Sequence, residues 1–370
     1  MPNLPALPAL TVRAIRARPV EVPCTFVLGT SQGAIRQVPL LLIDVETEEG
    51  VTGRAYLFCY LRAAAPAIMS LLGEVEAQTK GEAADPAALA AKLARRFTLI
   101  GVQGIVRMAL AGFDVACWDA LAIAAGQPLA RMIGAEPQAI PAYNSCGLGL
   151  MSDLGALADE AEKLLHIGGF RAVKLRLGYP TLSEDIAAAR AVRQRIGDEA
   201  ALMVDYNQVL TLDEALARGR ALDAENIYWL EEPIRHDDYE GAAKLARELK
   251  VPIQIGENFS TPEGMKAALA QAAPDYVMPD LERIGGVTGW LRAAALAEAG
   301  RVPMSSHLFP EVSAHLLAAT PTCHYLEYVD WADVLVREPL VIRDGNAVVP
   351  QRPGNGLVWD EAAVARYAMR

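Results

Sequence analysis

The sequence predicts an α/β fold: a TIM-like (β/α)7β barrel with an α+β capping domain formed by the N-terminal third and the C-terminal tail. Three observations predict it. From Ile140 onward eight short apolar runs, IPAYNS, RAVKLR, ALMVDY, IYWLEE, PIQIGE, YVMPD, VPMSSH and CHYLEY, alternate with helix-length amphipathic stretches such as LTLDEALARGRALDAE, the pattern of parallel strands joined by covering helices. Asp205, Glu231 and Glu257 each close one of these runs at intervals of about 25 residues, the length of one strand plus one helix. The first third reads differently, as β then α. A doubly wound open sheet is the competing architecture, since periodicity does not reveal closure; the count of eight favours the barrel.

The 370 residues, 52% of them hydrophobic, suit one large and one small domain. Residues 1–135 form the expected cap. Alternating runs at Leu40 to Val45 and Gly53 to Tyr60 predict strands, and GIVRMALAGFDVACWDALAIAA, apolar nearly all round, predicts a buried helix from Gly104 to Ala125. Lid loops are expected near 24–38 and 54–62. The barrel occupies 136–335, and the turn-rich, strand-like stretch within 336–370 is expected to return to the cap.

Composition excludes several classes of partner. The net charge is −11 with no run of Lys or Arg, which argues against nucleic acid and anionic membrane. The N-terminus lacks a basic start followed by an unbroken apolar core, and no apolar stretch is long enough to span a bilayer. Cys24, Cys59, Cys117, Cys146 and Cys323 are odd in number without CxxC-type spacing, which fits reduced cytoplasmic thiols and argues against structural zinc. A small metabolite remains the default partner.

In a barrel of this kind the C-terminal strand ends build the active site. Three carboxylates converging there repel one another unless a cation sits among them, and an all-oxygen site suits Mg²⁺. Lys174 and Arg176 share one inward face by the period of two; beside the acids they would attract a substrate carboxylate, although an ion pair within the core is the plainer reading of either alone. Asn207 follows Asp205 on the same face. Glu232 should point away from Glu231 and either support the ligating residues from behind or serve structure. Asp280 and His307 end neighbouring strands, so the carboxylate would orient the imidazole and raise its basicity, whereas His166, His236, His315 and His324 read as ordinary structural histidines. Glu327, if protonated or shared with a cation, could stabilise charge on a bound carboxylate; a structural ion pair explains it nearly as well. The combination suits removal of a weakly acidic proton beside a carboxylate, with the metal and Lys174 neutralising the enolate and His307 taking the proton.

RAVKLRLGYP, VDYNQ, EEP, GEN, PD, GGVTGW and MSSHLFPEVSAHLLAATPT resemble the mandelate racemase subgroup of the enolase superfamily over essentially the whole chain. The resemblance implies Mg²⁺ on Asp205, Glu231 and Glu257, a base dyad of His307 and Asp280, and substrate contacts from Lys174, Glu327, Asn207 and Ser145. A large barrel family of this type also implies a homo-oligomer, an octamer or a dimer.

One position departs from the racemase pattern. That pattern carries a second Lys, the base for the opposite face, where this chain has Arg176. Emptying an Arg of pKa near 13 at neutral pH costs about 8 kcal/mol, so one-base chemistry is expected. His307 would remove the α-proton and then protonate a departing β-hydroxyl, turning an acid sugar into a 2-keto-3-deoxy acid. Racemisation of an α-hydroxy acid is the alternative, and a non-catalytic binding protein on the same fold is an alternative of another class. The lid supports a less polar substrate: Phe26, Leu28, Phe58 and Tyr60 are expected to line an apolar pocket, with Ser31, Gln32 and Arg36 as its polar members, although Phe58 packing cap to barrel is equally expected.

Overall fold

The computed structural model describes residues 7–31 and 33–369; Gln32 lies outside them. In the cap, β1 (Val12–Thr30), β2 (Gly33–Thr47) and β3 (Thr52–Phe58) form an antiparallel sheet in that order. The segment expected as a lid loop at 24–38 is the far end of the β1–β2 hairpin. Leu28 pairs with Ile35 and Thr30 with Gly33, beyond an irregularity between Pro23 and Leu28. An irregularity of this kind bends a ribbon without ending it, so pairing lapses after Pro23 and resumes from Leu28 to Thr30 at the tip. The second lid segment, 54–62, is β3 and the turn that follows it.

The helix Gly104–Ala124 is buried at every residue from Met108 to Ala122. Its sequence is apolar on all sides because β3 covers one face and the barrel helix Gly286–Gly300 packs on another. Contact with β3 is close enough to require glycine: a Cβ on Gly53 would fall 1.9 Å from the Ala116 carbonyl.

The barrel strands are β4 (Ala139–Asn144), β5 (Ala172–Arg176), β6 (Ala201–Asp205), β7 (Ile227–Glu231), β8 (Ile253–Ile255), β9 (Tyr276–Val277) and β10 (Leu326–Tyr328). Neighbours are parallel, and β10 pairs with β4. The seventh expected strand, VPMSSH, is an extended segment held by isolated parallel bridges, Val277 to Met304, Met304 to Cys323 and Asp280 to His307. Its serines explain the broken ladder. Ser305 Oγ and Ser306 Oγ accept from the backbone N–H groups of Tyr325 and Glu327, so hydroxyls compete with the backbone for ladder bonds. Thr181 and Thr211 open two of the barrel helices with reciprocal capping boxes.

The C-terminal segment divides its contacts. A hairpin of β11 (Val341–Arg343) and β12 (Asn346–Val348) adds antiparallel to β4 on the barrel. Farther on, Trp359 Nε1 donates to Asp44 Oδ1 at 2.7 Å and Val20 bridges Ala368, both in contact with the cap. Among the described residues no helix is long and apolar enough to cross a membrane.

Candidate active site

Asp205 and Glu231 are the last residues of β6 and β7, paired directly across the ladder, and Glu257 follows β8 by two residues. One carboxylate oxygen from each lies within 4.8 Å of the others, close to the spread of ligands around one hexacoordinate cation. Lys174 Nζ sits beside them, 2.6 Å from Glu231, 3.3 Å from Asp205 and 2.7 Å from Glu327. That single cation is outnumbered: burial pushes the Glu231 carboxyl up to about 8 against the pull of Lys174, with Asp205, Glu327 and Glu257 adding to the rise. The donor set and its charge deficit fit a hard divalent ion.

Burial disfavours charge on Lys174, yet Glu231, Glu327 and Asp205 together hold its pKa above the usual lysine value. Lys174 thus enters the ion-paired state expected of an isolated pair, here with three acids of which Asp205 and Glu327 line a cavity. Glu327 shares the Lys174 cation as a buried ion pair, which both readings of it allow. Despite complete burial, Lys174 and His307 hold its carboxyl well below the ordinary range, and Ser145 Oγ and the Leu308 N–H donate to it at 2.7 and 2.9 Å.

His307 Nδ1 bonds Asp280 Oδ2 at 2.6 Å, leaving Nε2 3.3 Å from Glu257 and 3.9 Å from Glu327. Burial lowers its pKa, but Glu257, Glu327 and Asp280 outweigh this and raise it to about 10. Asp280 also caps the short helix Leu281–Ile284 by accepting from the Arg283 N–H.

Arg176 is fixed from behind. Its Nη1 donates to the carbonyls of Ser145 and Gly147 at 2.8 and 3.0 Å and its Nη2 to Ser145 Oγ at 2.7 Å, while buried Nε has no partner. Among the described residues it forms no ion pair with a carboxylate. Ser145 therefore lies beneath the site, joining Arg176 to Glu327. Asn207, at φ 46°, turns back so that its N–H and Nδ2 donate to Asp205, leaving its Oδ1 unpartnered and buried.

These groups open onto a cavity of about 480 Å³. Lys174, Arg176, Asp205, Asn207, Glu257, His307 and Glu327 line it, as do the expected lid residues Leu28, Phe58 and Tyr60. Phe26 is a correction: its ring carries Lys163 Nζ 4.9 Å from the centroid and is not part of the cavity wall, because the irregular hairpin segment turns it toward the helix Leu154–His166. Ser31 and Arg36 also lie outside the wall. Phe58 fulfils both of its readings, lining the cavity and docking cap to barrel through its N–H, which donates to buried Glu282 at 3.1 Å.

The sequence matches "Mandelate racemase / muconate lactonizing enzyme, N-terminal domain" over residues 11–134 and "Enolase C-terminal domain-like" over 156–363. The chain belongs to the mandelate racemase subgroup of the enolase superfamily. Within that superfamily it is 32% identical to the L-talarate/galactarate dehydratase of Salmonella typhimurium, over 91% of this chain and 84% of that one. A magnesium-bound enolase from the alpha-proteobacterium bal199 superposes with a TM-score of 0.95 at 43% identity, covering 97% of this chain and 100% of the other. A Bradyrhizobium enolase complexed with magnesium and mandelic acid gives 0.94 at 39% identity, covering 99% and 100%.

Against that superfamily background, the wall contains residues that sequence reasoning missed. Trp331 packs against Phe58 with ring planes tilted by 55° and centroids 4.9 Å apart, and Phe58 against Tyr60 at 4.1 Å and 38°. Arg283 and Asn258 join the wall beside His307 and Glu257. Each follows an expected site residue, Asn258 directly after Glu257 and Arg283 one helical turn after Asp280, so adjacency was the available signal. Glu232, expected to point away from Glu231 and play a supporting or structural part, lies outside the cavity wall; at φ 35° it leaves strand geometry, and both its carboxylate oxygens accept from Asn258 Nδ2.

Proposed function

We propose that this chain catalyses Mg²⁺-dependent removal of the α-proton of an α-hydroxycarboxylate, ending in dehydration of an acid sugar to a 2-keto-3-deoxy acid. Asp205, Glu231 and Glu257 would hold the ion. When bound, the cation withdraws charge from the substrate carboxylate, acidifying the adjacent carbon, and offsets the pull of Glu257 on His307. Lys174 binds the carboxylate as a fixed positive charge. His307 Nε2 takes the α-proton while Asp280 holds Nδ1–H, and the C–H electrons pass toward the carboxylate to give the enediolate. The same Nε2–H then protonates the β-hydroxyl, the enediolate electrons form the Cα=Cβ bond as the C–O bond breaks and water leaves, and the resulting enol tautomerises to the 2-keto acid.

The observation that carries this reading is Arg176. A guanidinium anchored on two carbonyls and Ser145 binds and does not deprotonate, so one face of the substrate has a base and the other does not. Similarity to a talarate/galactarate dehydratase supports the same outcome. Screening mono- and diacid sugars for Mg²⁺-dependent keto-acid formation tests it: turnover of at least one acid sugar is expected, and no keto acid from any would overturn it.

The apolar wall of Leu28, Phe58, Tyr60 and Trp331, with the mandelic acid bound by the Bradyrhizobium neighbour, favours a second reading, racemisation of an aryl or alkyl α-hydroxy acid. Interconversion of mandelate enantiomers would establish it. Free Cys24, Cys59, Cys117, Cys146 and Cys323 support a cytoplasmic setting. The exposed apolar pair Leu99 and Ile100 supports a homo-oligomer, dimer or octamer, which light scattering would size.

A further inference from the structure

Asn258 uses its whole side-chain amide at the edge of the proposed metal site. Nδ2 donates to Glu257 Oε1 at 3.2 Å and to the two oxygens of Glu232 at 3.1 and 2.8 Å. Oδ1 accepts from Arg283 Nη1. The Arg283 guanidinium lies under the ring of Tyr60, 4.8 Å from its centroid, and Tyr60 is a lid residue held at φ 58° against Phe58. A continuous set of contacts therefore runs from the lid, through Arg283 and Asn258, to one carboxylate of the metal trio.

Glu257 needs such support more than its two companions. Asp205 is held by the N–H and amide of Asn207, and Glu231 by Lys174 and the Trp229 indole N–H. Glu257 alone is partly exposed, with 14% of its side chain accessible. Its other close neighbour, His307 Nε2 at 3.3 Å, must be free to exchange protons with substrate. Asn258 is thus its static anchor.

We propose that Asn258 is a positioning residue that fixes Glu257 for the cation, and that Tyr60 acts on the same carboxylate through Arg283, so that lid packing and metal affinity are coupled. This rests on the reading of Asp205, Glu231 and Glu257 as the Mg²⁺ site. Partners that orient a ligating carboxylate contribute about 10- to 100-fold to metal affinity.

The test is calorimetric titration of the substrate-free chain with MgCl₂, alongside Asn258→Ala, Tyr60→Leu and the double variant, each checked by circular dichroism and thermal melting in EDTA. Asn258→Ala is expected to raise the Mg²⁺ Kd about tenfold with its melt in EDTA nearly unchanged. Tyr60→Leu, which acts only through Arg283, is expected to raise it by less than the roughly tenfold lower bound for direct partners, and to add nothing once Asn258 is Ala. Should Asn258→Ala fail to fold, Arg283→Met carries the same expectation. A wild-type Kd in well-folded Asn258→Ala overturns the anchoring role while leaving the metal site standing. An equal effect of Tyr60→Leu in both backgrounds overturns the coupling, and no Mg²⁺ binding by the wild-type chain overturns the site together with the inference built on it.

Discussion

His307 and Arg176 face one cavity with different capacities. The imidazole has one nitrogen engaged by Asp280 and the other facing the cavity 3.3 Å from Glu257, whereas the guanidinium has its Nη donors bound to carbonyl and hydroxyl oxygens. Replacing His307 with Asn should therefore lower kcat by about 10²- to 10⁴-fold while Mg²⁺ still binds, as calorimetry would show; unchanged turnover would remove His307 from the role of base. Arg176→Met should act chiefly on substrate binding, raising KM by about tenfold, the worth of one lost charged contact. A drop in kcat alone would assign Arg176 to the chemical step. At this scale the sequence disclosed residues that end strands, because alternation and spacing locate them. Asn258, Arg283 and Trp331 stayed hidden because loop and helix-turn geometry, which no period encodes, carries them into the wall.

At the scale of elements, the helix Pro310–Ala318 is locked by His315. Its Nδ1 accepts from the Ala130 N–H at 3.2 Å and its Nε2 donates to the Asn355 carbonyl at 3.2 Å, joining the end of the cap to the tail. Burial, only partly opposed by the Asn355 carbonyl, lowers the His315 pKa to about 4 from 6.5. A depressed folded value means that the unfolded chain takes up the proton first as pH falls. Stability is therefore complete above pH 6.5 and is lost on the way down through pH 4, by about 3 kcal/mol in all. Urea unfolding at pH 7 and pH 4.5 checks this: His315→Gln should be less stable at pH 7 but lose less between the two conditions, and an unaltered pH dependence would contradict it. The helix Gly104–Ala124 was legible in its all-round apolar sequence. The seventh barrel strand was legible only as extended chain, since serine hydroxyls take over ladder partners, and the lid hairpin was obscured by prolines and the irregular pairing after Pro23.

For the whole molecule, cap and barrel meet at buried polar contacts flanking the site: Tyr56 OH to Glu311 at 2.7 Å and the Phe58 N–H to Glu282 at 3.1 Å. Because the proposed ion binds only the assembled barrel, Mg²⁺ at about 100 times its Kd should add about 2.7 kcal/mol of stability. The melting temperature should rise by a few degrees and the gain should vanish with EDTA or in Glu231→Gln. An equal melt with and without Mg²⁺ would count against the metal site. The (β/α) rhythm made the architecture readable from sequence, while the outcome of the enolate depends on what lies across the cavity from His307. The most direct test is turnover in D₂O followed by proton NMR. Single-base dehydration should give a 2-keto-3-deoxy acid with solvent deuterium on the new methylene and no inverted substrate; α-deuterated substrate of inverted configuration, from either enantiomer, would contradict it.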